Sequence, residues 1–168
     1  MCDLESASVN EVALAIGAEV DAVVFAAGAG PGSGAARKES MDHDGAVKLL
    51  DAATARGAAH YVMVSALGAD ADHEGDEVFD VYLRAKGRAD DAVRAGPLPF
   101  TILAPTRLTD EDPTGAVALG ADPDGGPVSR ADVAAVLAEL IERRAGLGST
   151  LRLTTGDVLV ADAVAALG

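Results

Sequence analysis

The chain has 168 residues and a net charge of −14, so it is long enough for one domain with a buried core and too acidic to favour nucleic acids or anionic membranes as partners. Its single cysteine, Cys2, excludes an internal disulfide framework and a Cys-x-x-Cys metal site, and its three histidines are too scattered for a metal site. No apolar run approaches the ~20 residues that a membrane-spanning helix needs, so a cytoplasmic location without membrane partners is expected.

The first half of the chain alternates between helical and strand patterns. Ser8 and Glu11 have the spacing of a capping box, which predicts a helix that ends at Gly17. The apolar run 21–27 is typical of a strand buried on both faces, and the glycine-rich stretch 28–34 predicts a loop. The pattern then predicts a helix over 42–56, a strand over 60–65, an acidic loop over 70–77 and a helix over 78–94.

The second half continues the alternation. It predicts a strand over 99–104, an irregular stretch over 109–127 with a short strand at 116–119, a helix from Ser129 to Arg143 or Arg144, a strand at 151–153 and a C-terminal helix. This order indicates right-handed βαβ units, so the predicted fold is α/β with a doubly wound parallel sheet in a single domain of residues 1–168. Because ligands of such domains bind beyond the carboxyl ends of the strands, Gly28, Ser65 and Pro105 are expected on one rim.

The glycine-rich loop formally matches a dinucleotide fingerprint. The segment Gly30-Pro31-Gly32-Ser33-Gly34-Ala35 satisfies G-x-G-x-x-G/A after a strand. The polar stretch 37–40 separates it from the predicted helix, and no acidic residue ends a following strand at the right distance, which favours a chance match. The alternative is that this loop binds the phosphates of a dinucleotide.

Tyr82 and Lys86 are four residues apart, which places a phenol and an ammonium on one face of the predicted helix. That helix follows the strand that ends near Ser65, so the three side chains are expected to meet at the sheet rim. An ammonium beside the phenol would lower the tyrosine pKa and suit it to acid/base work on a carbonyl or alcohol. The alternative is a surface tyrosine packed beside a solvated lysine.

The order of six segments resembles an atypical short-chain dehydrogenase/reductase of the NmrA-like, NAD(P)H-binding kind also described as NAD-dependent epimerase/dehydratase. The segments are 23–28, 42–53, 62–65, Tyr82-x-x-x-Lys86, 101–108 and 129–134. The resemblance covers essentially the whole chain. It implies a Rossmann-like fold, NAD or NADP as cofactor and a small-molecule substrate.

The resemblance also implies roles for individual residues. Tyr82 and Lys86 match the family's catalytic pair, with Lys86 also bonding the nicotinamide ribose. Ser65 matches the substrate-orienting serine, and Asp42 falls where extended members carry an active-site asparagine. The implied cofactor contacts are Ala26, Ala27 and Gly28 at the end of a strand, Pro105 and Thr106 near the nicotinamide, and Asp3 and Leu4 beside adenine.

The largest departure from the family lies at the start of the sequence. Asp3-Leu4 resembles the end of the family's third strand, so its first two strands and its glycine-rich turn are missing. The missing first strand is the neighbour of the strand at 21–27, which is therefore expected to be an unpaired edge through which the chain self-associates. A longer parent with the glycine turn is expected to bind NAD(P), and this chain to bind it weakly or not at all.

Three functions stay open at this point. The leading hypothesis is an NAD(P)-dependent oxidoreductase or epimerase-like enzyme, in which Tyr82 exchanges a proton with a substrate oxygen. The second is an NAD(P)-sensing, NmrA-like regulator without catalysis, and the third is an inactive truncated fragment. The set of Ser65, Tyr82 and Lys86 favours the enzyme, whereas the missing glycine turn favours the other two.

Overall fold

The computed structural model describes residues 2–168, in which a central sheet of six strands carries helices on both faces. Its parallel part consists of β1 (Ala22–Phe25), β2 (His60–Val64), β3 (Phe100–Pro105) and β7 (Ser149–Thr155). Two antiparallel strands, β5 (Ala116–Gly120) and β8 (Val158–Leu159), complete the order β1-β2-β3-β7-β5-β8. A separate parallel pair is formed by β4 (Leu108–Thr109) and β6 (Val128–Ser129).

The helices lie between these strands in chain order. They are α1 (Val9–Ile16), α2 (Ala35–Arg37), a π-helical segment (Lys38–Gly45), α3 (Ala46–Ala55), α4 (Val78–Ala95), α5 (Arg130–Arg143) and α6 (Val160–Ala165). Among the helices of residues 2–168, none combines the length and the apolar composition needed to cross a membrane.

Two apolar clusters occupy the opposite faces of the sheet. Ile102 belongs to a cluster that β1, β2 and β3 form with α3 and α4, and its neighbour Leu103 belongs to a cluster with α5 and α6. Successive residues of a strand point to opposite faces, so this division follows directly from the strand's period of two. The predicted doubly wound α/β fold is confirmed, with β5 and β8 as an antiparallel addition to its parallel part.

The predicted capping box opens α1. The backbone N–H of Glu11 donates to Ser8 Oγ at 3.3 Å, and the N–H of Ser8 donates to Glu11 Oε2 at 2.8 Å. Two otherwise unpaired donors at the start of the helix are thereby satisfied. Helix α1 then packs on α3 through Val12, Ala13 and Ala52.

The predicted start of the helix at residue 42 is wrong, because helical structure already begins at Ala35 and runs through the π-helical segment into α3. Gly34 is extended, and its carbonyl accepts hydrogen bonds from the N–H groups of Arg37 and Lys38 at 3.1 and 3.4 Å. The stretch 37–40 is therefore helical, and the glycine loop leads straight into a helix. One of the two grounds for rejecting the dinucleotide fingerprint is thus wrong; the other, the missing acidic residue at the end of the next strand, holds.

Candidate functional site

A cleft of about 570 Å³ opens beyond the carboxyl ends of β1 and β2. The loop after β1 forms one wall, from Ala26 through Gly28 to Ser33, and Ser65 lies at the end of β2. Tyr82 and Lys86 face the cleft from α4, and the π-helical segment contributes Lys38 and Asp42. The structure therefore brings together all four predicted catalytic residues and the strand-end contacts Ala26, Ala27 and Gly28.

Lys86 is the buried centre of the cleft. Its side chain is only 4% exposed, and its Nζ donates to the carbonyl of Val64 at 2.9 Å. The same Nζ lies 3.7 Å from Asp42 Oδ1 and 5.1 Å from the centre of the Phe25 ring. Burial lowers the pKa of Lys86, and the carboxylates of Asp42 and Asp90 oppose that effect.

Asp42 connects the π-helical segment to the loop after β1. Its Oδ2 accepts a hydrogen bond from the N–H of Ala29 at 3.3 Å, and its buried Oδ1 has no hydrogen-bond partner among residues 2–168. A Cβ at Gly28 would lie 3.0 Å from Asp42 Oδ1, so glycine lets the backbone pass beside the carboxylate. Asp42 thereby contacts both the loop after β1 and the ammonium of Lys86 and holds the two together.

Ser65 contacts a residue that the sequence analysis missed. Its Oγ donates to Oδ2 of Asp90 at 2.7 Å, and both residues are buried. Asp90 lies four residues after Lys86 and eight after Tyr82, so all three share one face of α4. The same spacing that singled out Tyr82 and Lys86 would also have identified Asp90.

The pKa of Tyr82 is shifted in the direction opposite to the one predicted. Burial, together with the carboxylates of Asp42 and Asp90, raises the pKa of Tyr82 to about 12. The prediction that this pKa is lowered is wrong, because burial and the two carboxylates all shift it upward. Tyr82 therefore keeps its proton at neutral pH.

Two further residues at the mouth of the cleft were not predicted. Lys38 donates to the carbonyl of Gly30 at 3.0 Å, and its Nζ lies 5.3 Å from the centre of the Tyr82 ring. Phe79 is 65% exposed, and its ring centre lies 5.8 Å from that of Tyr82. Neither residue forms a motif, so only the folded arrangement identifies them.

Four predicted cofactor contacts lie outside the lining of this cleft. Asp3 accepts hydrogen bonds from the N–H of Glu5 and the hydroxyl of Ser6, and these bonds lower its pKa. Leu4 accepts a hydrogen bond from Lys48 Nζ at 2.5 Å. Pro105 ends β3, and the N–H of Thr106 donates to Leu153 at 2.9 Å. Their cofactor roles stay predictions.

Known proteins from bacteria, yeasts and a plant resemble the chain in sequence. The model of a family described as NAD(P)H-binding matches residues 1–144. A Bacillus subtilis protein described as "Uncharacterized sugar epimerase YhfK" is 35% identical over 144 residues, which cover 86% of this chain and 67% of that protein. A UPF0659 protein of Schizosaccharomyces pombe is 31% identical over 185 residues, which cover 98% of this chain and 74% of that protein.

Solved structures resemble the chain over nearly its full length. A "putative NAD-dependent epimerase/dehydratase" from Bacillus halodurans is 35% identical, with a TM-score of 0.88, and the match covers 99% of this chain and 77% of that one. The oxidoreductase ylbE from Lactococcus lactis is 24% identical, with a TM-score of 0.83 over 99% of this chain and 75% of its own. This second likeness concerns the fold alone.

Proposed function

The chain belongs to the NAD(P)H-binding family, and we propose that it acts as an NAD(P)-dependent oxidoreductase or epimerase-like enzyme on a small carbonyl or alcohol substrate. The observation that carries this proposal is the meeting of Ser65, Tyr82 and Lys86 at one cleft beyond the carboxyl ends of parallel strands. The relatives described as a sugar epimerase and an epimerase/dehydratase support it. The NmrA-like assignment and a cytoplasmic location are finer parts of the same proposal.

The residues present fit the nicotinamide and ribose half of NAD(P). Lys86 offers a buried ammonium to ribose hydroxyls, and Asp42 Oδ1 is a buried acceptor to which no group of the described residues donates a hydrogen bond. Ala26, Ala27 and Gly28 present exposed backbone and small side chains along the cleft, which allows a flat ring to approach closely. We assign Pro105, Thr106, Asp3 and Leu4 to the cofactor by family resemblance alone.

The proposed mechanism divides the work between cofactor and protein. Lys86 and the strand-end residues Ala26, Ala27 and Gly28 would hold NAD(P)H, which would supply the hydride for reduction of a carbonyl group. Tyr82 donates its phenolic proton to the carbonyl oxygen, a role that its raised pKa suits because the phenol is protonated at neutral pH. Ser65 orients that oxygen, and Asp42 holds the ammonium of Lys86 in place. In the reverse direction, the same groups return the proton to Tyr82.

A sensor that binds NAD(P) without turnover is the second candidate. The raised pKa of Tyr82 favours it, because alcohol oxidation requires the phenolate as a base and this environment disfavours the phenolate. The hydrogen bond from Ser65 to Asp90 favours it too, because the serine proton is then directed away from the cleft. Turnover of small carbonyl substrates by the unmodified chain separates the two candidates.

The binding proposal is tested by fluorescence titration of the chain with NADH, NADPH and reduced nicotinamide mononucleotide. All three probes share the half that the cleft fits, so each should bind weakly and should lose about tenfold or more of that affinity in Lys86→Gln. Arg143→Gln is the matched control, because Arg143 pairs with Glu139 on α5 and does not line the cleft. Equal affinities in the two variants, or no binding of any probe, would contradict the proposal.

A further inference from the structure

Asp90 extends the polar network of the cleft by one residue behind Ser65. Its carboxyl group is 2% exposed, and Oδ2 accepts the hydroxyl proton of Ser65 at 2.7 Å. Its Oδ1 is buried without a hydrogen-bond partner in the described residues. A buried carboxylate with only one of its two oxygens satisfied is costly, which makes its protonated form accessible.

The charge of Asp90 decides what Ser65 can offer to the cleft. A serine hydroxyl has one proton to donate and two lone pairs that accept. While Asp90 is ionised it takes that proton, so Ser65 can only accept a hydrogen bond from a ligand. When Asp90 is protonated, its own O–H can donate to Ser65 Oγ, and the serine proton is free to point into the cleft.

We propose that Asp90 is a positioning residue that sets the direction of the Ser65 hydroxyl. Protonated Asp90 prepares Ser65 to donate a hydrogen bond to a carbonyl oxygen, and ionised Asp90 prepares it to accept one from an alcohol. The proton of Asp90 stays within the Asp90 and Ser65 pair, because Tyr82 supplies the proton that the substrate oxygen gains. The hydrogen bond between Ser65 and Asp90 is the evidence for this inference. Its role in catalysis rests on the proposed function.

The surroundings of Asp90 make both of its charge states available near neutral pH. Burial is the largest influence and raises the pKa of Asp90 to about 6. The hydrogen bond from Ser65 opposes this rise, as do the positive charges of neighbouring basic residues. The groups that act on Asp90 are Ser65 from β2 and Lys86, Asp91 and Arg94 from α4, while Asp42 from the π-helical segment pairs with Lys86.

Carbon-13 NMR of the labelled chain tests the proposal without any cofactor or substrate. The carboxyl carbon of Asp90 and the Cβ of Ser65 should change with pH at one shared midpoint near 6. A Ser65 signal that stays constant, or an Asp90 midpoint in the ordinary aspartate range near 4, would overturn the proposal. The signal lost in Ser65→Ala assigns the serine.

Two variants identify the titrating group. Asp90→Asn should abolish the pH dependence of the Ser65 signal, whereas Asp91→Asn should preserve it, because Asp91 is exposed and pairs with Arg94 instead. A Ser65 signal that still titrates in Asp90→Asn would contradict the proposal. If Asp90→Asn does not fold, the titration of the unmodified chain decides alone. Failure of nicotinamide binding leaves this titration unaffected, so the two proposals fail separately.

Discussion

Tyr82 and Tyr61 are the two tyrosines of the chain, and their hydroxyl groups have different surroundings. The hydroxyl of Tyr61 donates to the carbonyl of Ala46 at 2.9 Å in the interior, whereas Tyr82 lines the cleft. They therefore form a matched pair for separating a chemical role from a packing role.

The Tyr82→Phe variant should lose about a hundredfold or more in turnover with little change in cofactor affinity, because only the transferable proton is removed. Tyr61→Phe should keep its turnover and lose about 1 kcal/mol of stability with its hydrogen bond. Oxidation of NADPH with a panel of small aldehydes and ketones measures turnover. Full activity of Tyr82→Phe would show that another group donates the proton, whereas an unmodified chain that binds NADPH without turnover would favour the sensor. Lys86→Ala should reduce both turnover and cofactor affinity, since its ammonium acts in both.

Asp90 should also make the stability of the chain depend on pH. Its pKa is raised to about 6 in the folded state, so between pH 4 and 6 the folded chain binds more protons than the unfolded one. The stabilisation of the folded state by the protonated Asp90 is present at low pH and is lost as the pH rises through 6. The loss in the free energy of unfolding is roughly 3 kcal/mol at most.

Asp90→Asn removes this dependence, because asparagine does not titrate. The difference in the free energy of unfolding, variant minus unmodified chain, should therefore increase between pH 4.5 and 7 by roughly 2 kcal/mol, because part of the change lies below pH 4.5. Urea denaturation at several pH values measures it. A difference that is constant over this range would show that Asp90 has an ordinary pKa. The constant cost of the asparagine itself cancels in this comparison.

At the scale of elements, α4 and the acidic loop before it form one unit. The N–H of Asp70 donates to the carbonyl of Leu83 at 3.2 Å, so the loop lies directly on the helix. Gly87 makes this possible, because a Cβ there would overlap the backbone of Asp70 and Ala71. Since Gly87 follows Lys86, the contact also fixes the part of α4 that faces the cleft.

Gly87→Ala should therefore destabilise the chain by about 1 to 3 kcal/mol, although alanine is the better helix former by about 1 kcal/mol. The overlap is with backbone atoms, which cannot rotate away as a side chain can. Gly120→Ala is the control, since nothing lies within 4 Å of a Cβ there. Thermal unfolding of both variants measures the difference. A Gly87→Ala variant as stable as the control would mean that the loop does not rest on α4.

The elements that could be predicted from sequence are those that local contacts determine. The capping box of Ser8 and Glu11 and the apolar runs of β1 and β2 each specify their structure within a few residues. The helical start at Ala35 could not be predicted, because polar residues 37–40 carry no apolar stripe. The antiparallel pairing of β5 with β7 joins residues more than 30 positions apart, which no local pattern encodes.

In the cleft, too, some features follow from local sequence patterns and others only from the folded structure. Periodicity placed Tyr82 and Lys86 on one helix face, and the βαβ rule placed Ser65 beside them. The raised pKa of Tyr82 could not be predicted, because it depends first on burial and then on the nearby carboxylates of Asp42 and Asp90. Residue types and spacing thus predict which groups meet, while burial decides their protonation.

At the scale of the whole molecule, two apolar clusters share the central sheet. Leu103 and Ile102 belong to different clusters although they are adjacent in β3. The strand β3 therefore contributes side chains to both clusters. We propose on this basis that residues 1–168 form one domain, which predicts a single cooperative unfolding transition by calorimetry. Two separate transitions would contradict this proposal, because they would show that the two clusters unfold independently.

The edge strand β1 is the feature of the whole molecule that concerns self-association. It lies at one end of the strand order and pairs with β2 alone within residues 2–168. An open strand edge with Val23, Val24 and Phe25 offers backbone donors and acceptors to another strand. The net charge of −14 opposes association, but salt limits the reach of that repulsion to about 8 Å at physiological ionic strength.

We therefore predict that the chain self-associates through β1 and that added salt promotes the oligomers. Val24→Lys places a charge on this edge and should reduce association, whereas Val158→Lys places the same charge on β8, the opposite edge of the sheet, and should not. Light scattering over a salt series measures the association, and cooperative melting confirms that each variant is folded. A chain that is monomeric at every salt concentration would contradict the prediction. Loss of oligomers in Val158→Lys alone would instead assign the contact to β8, because only that edge then carries the new charge.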